Sequence, residues 1–148
     1  CNARYLRVVD YKTGSPLTSL PSSVADIFDS SLVETRHTDY YLQAFLYASL
    51  IRHGATTMSQ VNPACLPVAP ALLFIRNAQK SGYTPILQFA GEKRGTRVPI
   101  NDIADYHNEF IDALKNLLSE IFNPDMPFIP TPQSERCLTC PYHKICGV

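Results

Sequence analysis

The run Arg4-Tyr5-Leu6-Arg7-Val8-Val9 is β-branched and aliphatic, and it closes on Asp10-Tyr11-Lys12 before Thr13-Gly14-Ser15-Pro16. That pattern predicts a strand running into a turn. Residues 13–29 are rich in Ser, Pro and Thr and read as a loop, in which Ser23 and Asp26 can cap a short helix through Val24-Ala25-Asp26-Ile27-Phe28. Tyr40 to Ile51 has strong helical periodicity. Thr38 or Asp39 stands where the N-cap belongs, and Gly54 where a left-handed C-cap belongs. After a Pro-rich connection over 62–70, the continuous apolar run Ala71-Leu72-Leu73-Phe74-Ile75-Arg76 suits a strand buried on both faces. Pro85 to Ala90 reads as a further strand, hairpinned with its predecessor, and Val98-Pro99-Ile100 as an edge piece. Ile103, Tyr106, Phe110, Leu114, Leu117, Leu118 and Ile121 recur at helical spacing. They mark the buried stripe of a helix opened by Asn101 or Asp102 and ended by Asn123-Pro124. Strand, helix and strand in that order predict a right-handed parallel crossover. The expected fold class is α/β: one domain over 1–148, with a central mixed sheet, helices packed on it and an irregular tail over 124–148.

Composition narrows the class. In 148 residues, 45 % are hydrophobic, enough for a real core, and no run of eighteen apolar residues marks a membrane span. Thirteen basic and thirteen acidic residues give zero net charge. That balance counts against a self-sufficient nucleic-acid binder, so any grip on DNA is local or comes from elsewhere. The segment Gly91-Glu92-Lys93-Arg94-Gly95-Thr96-Arg97 carries three cations and reads as a solvated hairpin tip or a phosphate contact. Five cysteines, an odd number with three clustered, point to a reducing, cytoplasmic setting and not to a disulfide scaffold. There is no glycine-rich phosphate loop, and the four histidines share no metal spacing.

Candidate chemistry begins at the strand end. Asp10 and Lys12 leave one face of a strand, their Cα atoms roughly 6.5 Å apart. An acid that holds a divalent ion, beside an amine that steadies a water or the charge on a phosphate, suits a metal-dependent hydrolase. The alternative is a surface ion pair. Gln43 and Tyr47, four apart, share one helix face. At the chain's end Cys137, Cys140 and Cys146 form C-x2-C-x5-C. These thiols could be cluster ligands, zinc ligands with His143, or metal-free packing.

Asp-x-Lys on a strand followed by Gln-x-x-x-Tyr on a helix resembles the PD-(D/E)xK nuclease domain of the RecB and AddB type. Val8 to Gly14 resembles that family's third motif, and Gln43 with Tyr47 its helix motif. The resemblance implies a restriction-endonuclease-like fold and Mg²⁺- or Mn²⁺-dependent hydrolysis of DNA. The activity would be that of an exonuclease in a helicase–nuclease of recombinational repair, with the rest of a parent polypeptide and a helicase subunit as partners. It implies that Asp10 and the Tyr11 carbonyl bind metal, that Lys12 orients water or offsets charge, and that Gln43 and Tyr47 position the strand or the Lys12 end. In AddB-type tails a trio spaced like Cys137, Cys140 and Cys146 joins an upstream cysteine to hold a [4Fe–4S] cluster. Here Cys1 and Cys65 are the remaining cysteines. The family's other acidic ligand lies on the strand before Asp10, and only nine residues precede Asp10. The chain therefore reads as a C-terminal piece expected to cut little on its own. The alternative is a non-catalytic nuclease-like module for DNA binding or complex assembly.

Overall fold

The computed structural model describes residues 5–15, 17–54, 60–127, 129 and 134–146. They fall into two compact units, 1–117 and 118–148. The first unit opens with strand β1 (Leu6–Lys12). It continues through the short helices α1 (Val24–Ile27) and α2 (Val33–Arg36) into the long helix α3 (Thr38–His53). Strand β2 (Val68–Phe74) follows, then β3 (Gln88–Ala90) and β4 (Arg97–Pro99). Helix α4 (His107–Ile121) follows a 3₁₀ turn over Ile103–Tyr106.

The strand–helix–strand pattern becomes a parallel pair. β1 runs beside β2 with Asp10 opposite Leu72 and Lys12 opposite Phe74. β3 and β4 pair antiparallel, and an antiparallel bridge from Ala71 to Ile86 joins them to β2. The architecture is therefore mixed α/β, as the sequence predicts. β2 starts three residues earlier than expected and contains Pro70. Proline is tolerated there because only its carbonyl is used: it accepts from the Leu87 N–H at 3.0 Å. The Leu87 carbonyl, for which Pro70 has no N–H, accepts from Ile100 instead at 2.9 Å. Ile75 and Arg76, expected to continue the strand, lie in a 3₁₀ turn over Ile75–Asn77.

The core gathers around Phe45 of α3, whose ring meets Phe110 at 5.4 Å, Phe89 at 5.9 Å and Tyr106 at 6.2 Å. Tyr41, Ala44, Phe45 and Ala48 form the buried stripe of α3. Asp102 ties three elements together with one oxygen, Oδ1. It accepts from Val68 N–H at 3.2 Å and from Ala104 N–H at 3.1 Å, and it pairs with Arg52 Nε at 3.4 Å.

Three expectations are corrected. Neither Thr38 nor Asp39 caps α3: Thr38 is its first helical residue, its hydroxyl buried without a hydrogen bond, and His37 is the cap. The left-handed residue is His37, at φ 50, and not Gly54, which is extended at φ −65. The expected stripe is buried at Ile103, in the 3₁₀ turn, and at Phe110 of α4, but Leu118 and Ile121 are 43 % and 44 % exposed. Those two residues belong to the second unit.

His53 at the end of α3 stacks on His107 at the start of α4, ring centroids 3.7 Å apart. Burial holds the His53 pKa below that of an ordinary imidazole. The nearby charges of His107 and Arg52 act in the same direction, and Asp102 acts against them. The folded state therefore binds this proton more weakly than the unfolded chain does. The group's contribution is complete above the unfolded pKa, about 6.5, and is lost as pH falls through that value toward the lower folded one. The melting temperature should drop on acidification from neutral pH, and His53→Gln should reduce that drop, as calorimetry across the range would read.

The second unit holds the end of α4 and two short helices, α5 (Ser134–Thr139) and α6 (His143–Cys146). No helix among the described residues is long and apolar enough to cross a membrane.

Candidate active site

Strand alternation places Asp10 and Lys12 on one face of β1, and helical spacing places Tyr40, Gln43 and Tyr47 along one side of α3. The fold brings the two sets together. Lys12 Nζ lies 2.8 Å from Asp10 Oδ2 and donates to Gln43 Oε1 at 2.8 Å. Gln43 Nε2 donates to the Tyr47 hydroxyl at 3.0 Å. The amide orientation follows from chemistry: an ammonium has only donors, so Gln43 must offer it oxygen and turn its NH₂ to Tyr47. Lys12 and Asp10 are 16 % and 20 % exposed in their side chains, so the pair is partly shielded from water. Tyr47 is more open.

A residue absent from the sequence motif completes the environment. Lys12 Nζ sits 4.2 Å from the centroid of the Tyr40 ring, a cation–π contact. That ring stacks on His37 at 5.0 Å and 12°, and packs 6.4 Å from Phe74. The left-handed turn at His37 is what brings its imidazole against Tyr40. Tyr40, Gln43 and Tyr47 stand at i, i+3 and i+7, so the sequence did carry a signal for Tyr40. Helical periodicity alone accounts for it along the chain, because nothing local connects it to Lys12. The ammonium thus meets Asp10, Gln43 and the Tyr40 face.

Two oxygens suit a divalent ion. Asp10 Oδ2 is buried and makes no hydrogen bond, since its 2.8 Å contact with Lys12 is an ion pair without hydrogen-bond angles. The second is the carbonyl of Tyr11, whose side chain is 66 % exposed on the opposite face. Leu6 N–H donates to the Pro67 carbonyl at 2.9 Å, so even-numbered residues of β1 turn their backbone groups toward β2. The Tyr11 carbonyl therefore turns to the strand's other edge and is not used in this ladder. Magnesium is commonly held by one or two carboxylates, with waters and substrate phosphates filling the rest. Asp10 and Tyr11 fit a part of such a shell.

The cysteine trio does not fit a cluster as it stands. Among the described residues no three His, Cys, Asp or Glu side chains are gathered as a metal site. Cys137 lies in α5, Cys140 after it and Cys146 in α6, with Cys146 exposed. The His143 ring nitrogen Nδ1 lies 2.9 Å from the Cys140 carbonyl, and the zinc set with His143 is likewise not gathered among the described residues. Cys65 is exposed in the first unit, and Cys1 lies outside the described residues. A [4Fe–4S] cluster is normally held by four thiolates.

The family model described as the PD-(D/E)XK nuclease superfamily matches residues 2–147. No curated protein and no solved structure matches the chain.

Proposed function

This chain belongs to the PD-(D/E)XK nuclease superfamily, and from that premise we propose that Asp10, Lys12, Gln43 and Tyr47 form the working end of a DNA phosphodiesterase site. Members of the superfamily are nucleases that act on DNA with divalent metals such as Mg²⁺ or Mn²⁺. The observation that carries the reading is the unbroken chain Asp10–Lys12–Gln43–Tyr47, with steps of 2.8, 2.8 and 3.0 Å.

Asp10 Oδ2 and the Tyr11 carbonyl would hold the metal. Bound there, a divalent ion neutralises phosphate charge and lowers the pKa of a coordinated water. The rest of the work falls to the chain. Lys12 offers its ammonium to the attacking water or to the phosphate oxygens as their charge grows. Gln43 fixes where that ammonium points, and Tyr47 fixes the amide of Gln43. Tyr40 backs the ammonium with a π-face and keeps bulk water from that side.

The finer reading is a RecB- or AddB-type exonuclease serving a helicase–nuclease of DNA repair and recombination. It rests on the Asp-x-Lys and Gln-x-x-x-Tyr motifs. Hard divalent ions take several oxygen ligands, and one carboxylate stands beside Lys12 among the described residues. The 148-residue chain alone should therefore cut single- and double-stranded DNA little or not at all with Mn²⁺. Robust cutting that disappears in Asp10→Ala would show the site to be complete within these residues. Salt-dependent DNA binding without hydrolysis by a longer polypeptide would favour the non-catalytic module instead.

A further inference from the structure

A groove of about 390 Å³ lies beside the site, wholly within the first unit. Leu72 and Phe74 line it, and these are the ladder partners of Asp10 and Lys12. Adjacent strands lie about 4.8 Å apart. Phe74 also packs against the Tyr40 ring that carries the Lys12 ammonium. The groove and the Asp10–Lys12 pair are thus separated by one layer of side chains.

Most polar groups in the wall are already used. The Tyr83 hydroxyl accepts from Phe74 N–H at 2.8 Å and donates to the Leu72 carbonyl at 2.9 Å. The Tyr41 hydroxyl donates to the Gln88 carbonyl at 2.5 Å. These bonds make the wall rigid and leave it mostly apolar toward the groove. Three polar side chains of the lining remain, those of Asn77, Gln88 and Arg97. Asn77 is buried and its amide makes no hydrogen bond to another described residue. Arg97 on β4 is exposed and forms no ion pair among the described residues.

A mostly apolar wall, side-chain amides that both donate and accept, and one cation match the three parts of a nucleotide: ring, ring edge and phosphate. We propose that this groove is a nucleotide subsite, which takes a base against its apolar wall, reads its edge with Asn77 and holds its phosphate on Arg97. The inference rests on the nuclease reading for its purpose: it would seat the nucleotide next to the cleaved bond. The same chemistry serves a strand end or a released mononucleotide. An asparagine amide pairs best with the two-way edge of adenine.

The test uses the 148-residue chain and deoxyadenosine monophosphate, followed by NMR at the Asn77 amide and at Tyr83 and Leu87. Binding should move those signals, and deoxyribose 5-phosphate, which lacks the base, should bind at least about tenfold more weakly. Arg97→Gln, on an exposed strand position, should weaken binding about tenfold or more. Equal binding of the base-less sugar phosphate, unmoved groove signals, or an unaffected Arg97→Gln would each overturn the subsite. A short single strand with a normal or an abasic terminal nucleotide separates the sources. Loss of affinity at the abasic end assigns the groove to the strand end, and tighter binding of free nucleotide than of either strand assigns it to the released product. Nucleotide bound in the groove, with no DNA cleavage by a longer polypeptide, would count against the nuclease reading alone. Cleavage with an unresponsive groove would count against the subsite alone.

Discussion

Replacing Lys12 by methionine should lower DNA cleavage by roughly 10²- to 10³-fold in a polypeptide in which this domain cuts, the usual cost of losing a preorganised charged donor. Methionine keeps the length and the packing of the side chain against Tyr40 but carries no charge. The ammonium has three neighbours, Asp10, Gln43 and the Tyr40 ring, and all three point to one position. That placement is what the substitution removes. The neighbouring residues should then follow in order of their distance from Lys12. Gln43→Ala frees the ammonium without deleting it and should cost about tenfold, as for one lost charge-assisted hydrogen bond. Tyr47→Phe removes only the acceptor for the Gln43 NH₂ at a half-open position and should cost about threefold or less. Single-turnover rates, with melting curves to show that each variant is folded, would establish the order. A folded Lys12→Met variant that cuts at the parent rate would remove Lys12 from the chemistry and leave the four-residue chain a structural ion pair.

Phe45→Ala should destabilise the fold by about 4 kcal/mol, in the range for deleting a fully buried aromatic ring. Phe45 is fully buried and its ring packs near those of Tyr41 on its own helix, Phe89 on β3, and Tyr106 and Phe110 around the start of α4. Deleting it opens a cavity that none of these rings can fill, because each is held by its own element. It also removes aromatic pairs worth about 0.5–1.5 kcal/mol apiece beyond the buried area. A domain of this kind is typically stable by only about 5–15 kcal/mol, so the loss is a large fraction of the whole. Tyr41→Phe provides the contrast. It keeps the ring and deletes only the hydrogen bond to the Gln88 carbonyl, and should cost about 1 kcal/mol. Urea denaturation of the two variants would separate packing from hydrogen bonding. Similar midpoints for both would mean that the cluster relaxes around the missing ring.

The matched family model and the α/β architecture rest on features that were legible along the chain. β1 was visible because aliphatic residues end abruptly at a charged tripeptide and a turn. α3 was visible because apolar residues recur at 3.6, a period that also sets Gln43 and Tyr47 on one side. The contrast with β2 is instructive. Its first residues looked like linker because Pro67 and Pro70 punctuate them, yet Val68 to Phe74 is a strand. Whether a proline is tolerated depends on which backbone groups its neighbours need, and those neighbours, Leu87 and Ile100, are distant in sequence. Leu118 and Ile121 misled for a related reason: helical spacing shows which side is apolar, not whether anything covers it.

The sequence alone determined which residue types stand at the strand end and on the helix, because short periods of two and 3.6 are properties of the backbone itself. Only the tertiary structure decided that Lys12 meets Gln43, that Tyr40 lies beneath the ammonium, that the Asp10 oxygen lacks a hydrogen bond, and that Asn77 and Arg97 share a groove. Those contacts follow from the parallel register of β1 on β2 and the way α3 crosses that pair. Both are set by how a shared core packs, which no local stretch of the chain encodes.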